Sequence, residues 1–195
     1  MPYEPPAIHD LHKHKDYEPY ALALGKLIHA WNHLHETLGT LFWVVMNVQD
    51  GTVPLAVWHS TPNDHAQREM LKAAVFASRN KGRFAQTPKA TDEILWLLEQ
   101  VGKTRNGRND AIHAPLGVSI TDNGFEISPY DFSGNPRAKS LLGKEILKEF
   151  DWYRAKAETL STYAIMIGAA LSFPDVHSLP ERPPLPHLGQ SESQM

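Results

Sequence analysis

Apolar residues recur at intervals of three and four over long parts of the chain, which is the spacing of one face of an α-helix. The pattern is strongest near the N-terminus, where it predicts a long first helix with one side packed on a neighbour. The residues on that side are Tyr20, Leu24, Leu27, Trp31, Leu34, Leu38, Leu41 and Val45.

A second helix is predicted to end at about Ser78. Ser60 or Thr61, followed by Pro62, is typical of a helix cap and first turn. The stretch before Ser60, which contains Pro54, is therefore predicted to be a loop. The apolar side of this helix consists of Met70, Leu71, Ala74 and Val75.

The same spacing predicts two more helices. The third covers residues 90–114 and is expected to stop at Ala114, because Pro115 disfavours helical geometry in the residue before it. The fourth begins at Leu141 or Lys144 and runs to Leu171. Its buried side is expected to contain Ile146, Phe150, Tyr153, Ala157, Leu160, Ala164 and Ile167.

Between the third and fourth helices, "VSITDNGFEIS" alternates apolar and polar residues around Asp122-Asn123-Gly124, which is typical of a small β-hairpin. We therefore predict an all-α protein, an antiparallel four-helix bundle with a β-hairpin insertion between helices 3 and 4. Residues 1–18 are predicted to be an extended tail, residues 19–172 the bundle, and residues 173–195 a proline-rich, disordered tail. Within that tail, "PERPPLP" could serve as a polyproline ligand for a partner.

The composition limits the classes of function. The chain has 195 residues and a formal net charge of −3, so contact with a polyanion such as RNA would have to be local. The lack of cysteine excludes disulfides, thiolate catalysis and cysteine-ligated zinc. With no signal peptide and no apolar run of membrane length, we expect a cytoplasmic protein.

Charge interrupts the apolar side of the third helix near its end. The residues on this side are Ile94, Leu98, Val101, Arg105, Arg108 and Ile112, with an asparagine after each arginine. His113 follows just before the helix stops. Arginine offers a fixed charge that matches phosphate, and histidine exchanges a proton near neutral pH. This combination suits metal-independent RNA cleavage, although the arginines could instead pair with carboxylates of neighbouring helices while His113 caps the last turn.

The segment "RNDAIH" resembles the R-x4-6-H motif of the HEPN superfamily, the higher eukaryotes and prokaryotes nucleotide-binding domains. Members are similar all-α bundles, usually dimers in which the motifs of two chains face each other. Many act as metal-independent endoribonucleases in toxin–antitoxin, phage-defence or RNA-processing systems. The first helix, "ALGKLIHAWNHLHETLGTLF", also resembles the opening helix of small bacterial HEPN-type proteins.

The resemblance implies that Arg108 and His113 form the catalytic pair and that Asn109 orients it, with Asn109 and Arg105 binding substrate. Arg105 lies too far from His113 to replace Arg108 in the motif. The implied protein is a homodimer that acts on RNA or a nucleotide without metal or other cofactor, and an antitoxin or other protein partner is compatible with it. The alternative is a catalytically inactive HEPN-like bundle that binds a nucleotide or protein partner.

Three other groups of polar residues are candidates for sites or charge pairs. His9, His12 and His14 could bind a metal, but a solvated tail is the preferred interpretation. His29 and His33, with Glu36 nearby, have a spacing that can hold a divalent metal, but an exposed polar face is preferred. We expect Arg68 and Glu69 to form a surface charge pair.

Overall fold

The computed structural model describes residues 15–121, 124–131 and 134–187, and in these residues the protein is mostly helical. One turn of 3-10 helix, Lys15–Tyr17, comes first. The seven α-helices in the described residues are α1 Glu18–Met46, α2 Thr52–Ser60, α3 Asp64–Ser78, α4 Arg83–Gln86, α5 Ala90–His113, α6 Pro136–Lys139 and α7 Ile146–Ser172. The two strands are β1 Leu116–Thr121 and β2 Gly124–Pro129. They pair antiparallel between α5 and α7, which confirms a mostly helical fold with a hairpin insertion.

The chain divides into two compact units. Among the described residues, the first unit takes those within 15–29 and 104–155 together with Pro186 and His187. The second unit consists of residues 30–103 and 156–185. In each unit, the buried residues of the long helices recur at intervals of three and four.

The second unit is built around the regular apolar side of α1. Leu34 and Leu38 are fully buried and Leu41 and Val45 almost so, as the spacing predicted. A Cβ atom at Gly39 would lie 2.9 Å from two ring atoms of Trp58. The missing side chain therefore lets the indole of Trp58 lie directly against α1.

Residues 52–60, predicted to be a loop, form helix α2, so that prediction was wrong. Pro54 does not prevent the helix because it falls in the first turn, where a backbone N–H has no helical partner to lose. Asp50 supports this start by accepting hydrogen bonds from the Thr52 N–H at 2.8 Å and hydroxyl at 2.7 Å. Trp58 is 1% exposed and anchors the helix in the core.

Helix α3 begins later than predicted. The cap is Asn63, whose side-chain oxygen accepts a hydrogen bond from the Ala66 N–H at 2.9 Å. Leu71 and Val75 are buried as expected, whereas Met70 and Ala74 are only partly buried against the same core.

The predicted surface pair of Arg68 and Glu69 is also wrong. Arg68 is buried and lies 3.6 Å from the Asp64 carboxylate, while Glu69 is exposed and lies 3.9 Å from Lys72. Residues three and four apart lie on the same side of a helix, so Arg68 shares the buried side of Leu71 and Val75, while the adjacent Glu69 points to solvent.

The first unit has its own core, which contains three aromatic rings among its buried residues. Its buried members are Tyr20, Leu27, Ala111, Ala114, Ala138, Leu141, Ile146, Phe150 and Tyr153. The Tyr20 and Phe150 rings are 5.4 Å apart, and burial raises the pKa of Tyr20 to about 12. Strand β1 pairs with β2 in a register that places Val118 opposite Ile127. The predicted turn residues Asp122 and Asn123 lie outside the described residues.

Helices α5 and α7 match their predictions closely. Helix α5 ends at His113, one residue before the predicted stop, and every predicted apolar contact residue of α7 from Ile146 to Ile167 is buried. Helix α7 begins at Ile146, slightly later than Leu141 or Lys144. Gly143, with φ of +75°, forms a turn that delays the start.

The segment after α7, for which the sequence predicted disorder, has defined contacts as far as His187. In the second unit, Leu179 and Leu185 pack against the core. In the first unit, the Trp152 indole N–H donates to the Pro186 carbonyl at 2.8 Å. Residues 188–195 and most of the predicted N-terminal tail, residues 1–14, lie outside the described residues. None of the helices described is long and apolar enough to pass through a membrane.

Candidate functional site

The four predicted site residues lie on the last turns of α5, within the first unit. Helix α5 is uninterrupted from Ala90 to His113, so ideal helix geometry applies to them. Arg105 and Arg108 then lie about 60° apart around the axis, whereas Arg108 and His113 lie about 140° apart and about 7.5 Å apart along it. The arginines therefore share one side of the helix, and His113 lies on another.

The solvent exposure of these four side chains differs between the two sides of α5 in the same way. Arg105, Arg108 and Asn109 are partly buried, while His113 is exposed. On either side of His113, Ala111 is completely buried and Ala114 is 7% exposed. The end of the helix is thus anchored in the core of the first unit, and the imidazole is presented to solvent.

The backbone after His113 is fixed by the strand pair. The Ala114 N–H donates to the Asp110 carbonyl at 2.8 Å, which closes the last turn. Pro115 then ends the helix, and its carbonyl accepts from the Tyr130 N–H at 2.9 Å, beside the hairpin. His113 consequently lies on a rigid helix end and not on a loop.

Tyr153 of α7 lies directly against the backbone of α5 between the two arginines. A Cβ atom at Gly107 would collide with the Tyr153 hydroxyl oxygen, so only glycine permits this approach. Burial raises the pKa of Tyr153, and the nearby negative charges of Glu149 and Asp110 raise it further, as does a hydrogen bond to Glu149. The phenol therefore stays protonated and donates to the Glu149 carboxylate.

Glu149 is the carboxylate that accepts the hydrogen bond of Tyr153. Its side chain is 2% exposed, and the Lys144 ammonium lies 3.6 Å from one carboxylate oxygen. Glu149 is in the first turn of α7, where the helix dipole stabilises a negative charge. The lysine and the dipole together offset part of the cost of burying this carboxylate.

Asp110 is held from a different element. The Ser140 hydroxyl, next to α6, lies 3.4 Å from an Asp110 carboxylate oxygen and 3.1 Å from the Arg137 carbonyl, and its one proton is shared between these two acceptors. The segment of α5 that contains Arg108 is thus contacted by α7 through Tyr153 and by the residue after α6 through Ser140.

Sequence reasoning did not identify Glu149 or the role of Tyr153. Tyr153 was recognised only as a position on the apolar side of α7, and Glu149 directly precedes another such position, Phe150. The available signal was a tyrosine on a side otherwise made of apolar residues, because a buried hydroxyl needs a polar partner.

The described residues contain no group of three histidine, aspartate or glutamate side chains placed to hold a metal ion. His29, His33 and Glu36 lie on an exposed part of α1, which is the preferred interpretation of the sequence. His9, His12 and His14 lie outside the described residues.

The arrangement supplies two different chemical groups at one end of α5. Arg105 and Arg108 place two fixed positive charges on one side, and His113 offers a solvent-accessible imidazole. Comparisons of this chain with protein-family models, with curated proteins and with solved structures give no match.

Proposed function

We propose that this protein is a HEPN-like endoribonuclease that cleaves RNA without a metal ion. In this proposal, α1, α3, α5 and α7 form an antiparallel four-helix bundle, and two chains form a homodimer with a composite site. The observation that supports it most is the combination at the end of α5. A solvent-exposed His113 on an anchored helix end follows a partly buried Arg108 by five residues.

The spacing of this pair favours a site shared by two chains. Side chains about 140° apart on one straight helix do not converge easily on a single phosphate. A twofold axis near the end of α5 would bring the His113 of one chain towards the Arg108 of the other. Each chain would then contribute both an arginine and a histidine, and the catalytic pair would be completed across the interface.

The chemistry follows from these groups. His113 of one chain accepts the proton of a 2′-hydroxyl as its oxygen attacks the adjacent phosphorus. The bond from phosphorus to the 5′-oxygen breaks, and the same histidine, now protonated, gives that oxygen the proton, which leaves a 2′,3′-cyclic phosphate and a 5′-hydroxyl. Arg108 stabilises the additional negative charge on the phosphate oxygens during attack. Arg105 and Asn109 bind neighbouring parts of the RNA backbone.

The test is RNA cleavage in excess EDTA by the wild type and by His113→Ala. Because His113 is exposed, its removal should leave the fold intact, which circular dichroism would check. We expect a loss of about 10²-fold to 10⁴-fold in cleavage rate, the usual contribution of a general acid or base. The matched control is His65→Ala, an exposed histidine of α3, which should cleave at the wild-type rate.

Three outcomes would count against the proposal. These are a wild type that leaves varied RNAs uncut, a His113→Ala chain that cuts equally well, and a cleavage that EDTA abolishes. RNA or nucleotide binding without cleavage would support instead the catalytically inactive bundle.

A further inference from the structure

The segment of the chain that follows α7 has a three-residue proline repeat. Prolines occur at positions 180, 183 and 186, and the residues before them are Leu179, Arg182 and Leu185. Proline restricts its own φ and keeps the preceding residue extended, and an extended polyproline II helix has three residues per turn. The residues before the prolines are therefore expected to share one side of the segment.

The observed burial follows this period in part. Leu179, Pro180, Pro183, Leu185 and Pro186 are partly buried, whereas Glu181, Arg182 and Pro184 are exposed. Leu179 and Leu185 pack against the core of the second unit. One side of the segment thus faces that unit, and the other faces solvent.

Arg182, midway between the two leucines, is held by a specific set of groups. Its Nε donates to a Glu93 carboxylate oxygen at 2.7 Å, and a terminal nitrogen donates to the other oxygen at 3.3 Å. The guanidinium carbon lies 5.3 Å from the centre of the Trp96 ring. A carboxylate that accepts two hydrogen bonds and an aromatic face together select arginine over lysine.

The receiving groups are themselves fixed. The buried Tyr163 hydroxyl donates to Glu93 at 2.6 Å, and the Trp96 and Tyr163 rings meet edge to face at 5.4 Å. Partial burial would raise the pKa of Glu93, but hydrogen bonds from Arg182 and Tyr163 outweigh it, so the pKa lies below its ordinary value. Glu93 is therefore charged at neutral pH.

We infer that Glu93, Trp96 and Tyr163 form a recognition groove for the motif Leu-Pro-x-Arg-Pro-x-Leu of a second copy of this chain. Residues 179–185 of the same chain, which belong to the second unit, occupy this groove in the structure and show the contacts that the motif makes. Aromatic side chains and a carboxylate that receive a proline-rich, arginine-containing segment are a recurring mode of peptide recognition. The inference is independent of RNA cleavage, because all of the receiving groups lie in the second unit.

The experiment uses full-length chains and a fluorescent peptide of residues 178–187. In the wild type, the chain's own proline-rich segment, which we call the attached segment, occupies the groove. It competes with the peptide at an effective concentration on the order of millimolar. Arg182→Glu opposes Glu93 with a like charge and should release the attached segment. We expect this chain to bind the peptide at least about tenfold more tightly than the wild type does, since the competitor is removed. Arg79→Glu, the same reversal at an exposed site outside the groove, should bind as the wild type does.

A variant peptide and a second variant chain complete the experiment. A peptide with Arg182→Ala should bind the released chain at least about tenfold more weakly, because it loses the charge-assisted hydrogen bonds to Glu93. Leu179→Ala provides a second released chain if circular dichroism shows that Arg182→Glu does not fold. The inference is overturned if neither released chain binds the peptide, if the wild type binds it equally well, or if the arginine of the peptide makes no difference.

Discussion

Gly107 shows how one missing side chain can shape the candidate site. Helix α5 has two interior glycines, and each lowers intrinsic helix stability relative to alanine. Only Gly107 faces a neighbour, the Tyr153 hydroxyl, whereas nothing lies within 4 Å of a Cβ atom built at Gly102. Gly107 therefore has a tertiary role that its helix propensity does not reveal.

Alanine at these two positions should have opposite effects. Gly102→Ala should raise the free energy of unfolding by about 0.5–1 kcal/mol, because it gains helix propensity at no steric cost. Gly107→Ala should lower the free energy of unfolding by about 1–3 kcal/mol, since Tyr153 must move. Denaturant unfolding of both variants measures this. A Gly107→Ala chain as stable as Gly102→Ala would show that the contact with Tyr153 does not constrain α5.

The sequence indicated the candidate site better than it indicated the surroundings of that site. Arg105 and Arg108 were detectable because they replace apolar residues in a regular spacing along one helix. The contacts of Tyr153 with Gly107, and of Ser140 with Asp110, join residues 46 and 30 positions apart. Periodicity within one helix does not specify which distant residue will face it, so these contacts required the tertiary structure.

At the scale of elements, long helices were predicted well, whereas the starts of α3 and α7 were not. The apolar sides of α1 and α7 extend over many turns, so that one irregular residue does not obscure them. The start of α3 depends instead on a single hydrogen bond, and Ser60, Thr61 and Asn63 are all residue types that cap helices. The short helix α2 was missed because Pro54 indicates a break unless its place in the first turn is known.

Substitution of the competing cap residues tests the observed start of α3. Asn63→Ala should lower the free energy of unfolding by about 1 kcal/mol, because the Ala66 N–H loses its acceptor. Ser60→Ala should change it by less than about 0.5 kcal/mol, as is usual for exposed positions. Thermal or denaturant unfolding provides the comparison. If Ser60→Ala lowers the free energy of unfolding more than Asn63→Ala does, the helix begins at the earlier residue that the sequence predicted.

At the scale of the whole molecule, the order of the C-terminal segment was beyond the reach of sequence patterns. Proline-rich segments resemble disordered tails in composition, and tertiary contacts distinguish residues 179–186 from such a tail, among them those of Arg182 with Glu93 and Trp96. The homodimer stays a prediction, and it rests on the angle of about 140° that the spacing of Arg108 and His113 sets on one helix.

The most direct test of a composite site mixes two inactive chains. Arg108→Ala and His113→Ala, each alone, should cleave RNA slowly in excess EDTA. After unfolding and refolding together, about half of the dimers should contain one chain of each kind, and these retain one arginine and one histidine across the interface. The account predicts that the mixture cleaves at least about tenfold faster than either variant alone, because each lost group is worth about 10²-fold or more. A mixture no faster than its separate components would contradict a site shared between two chains.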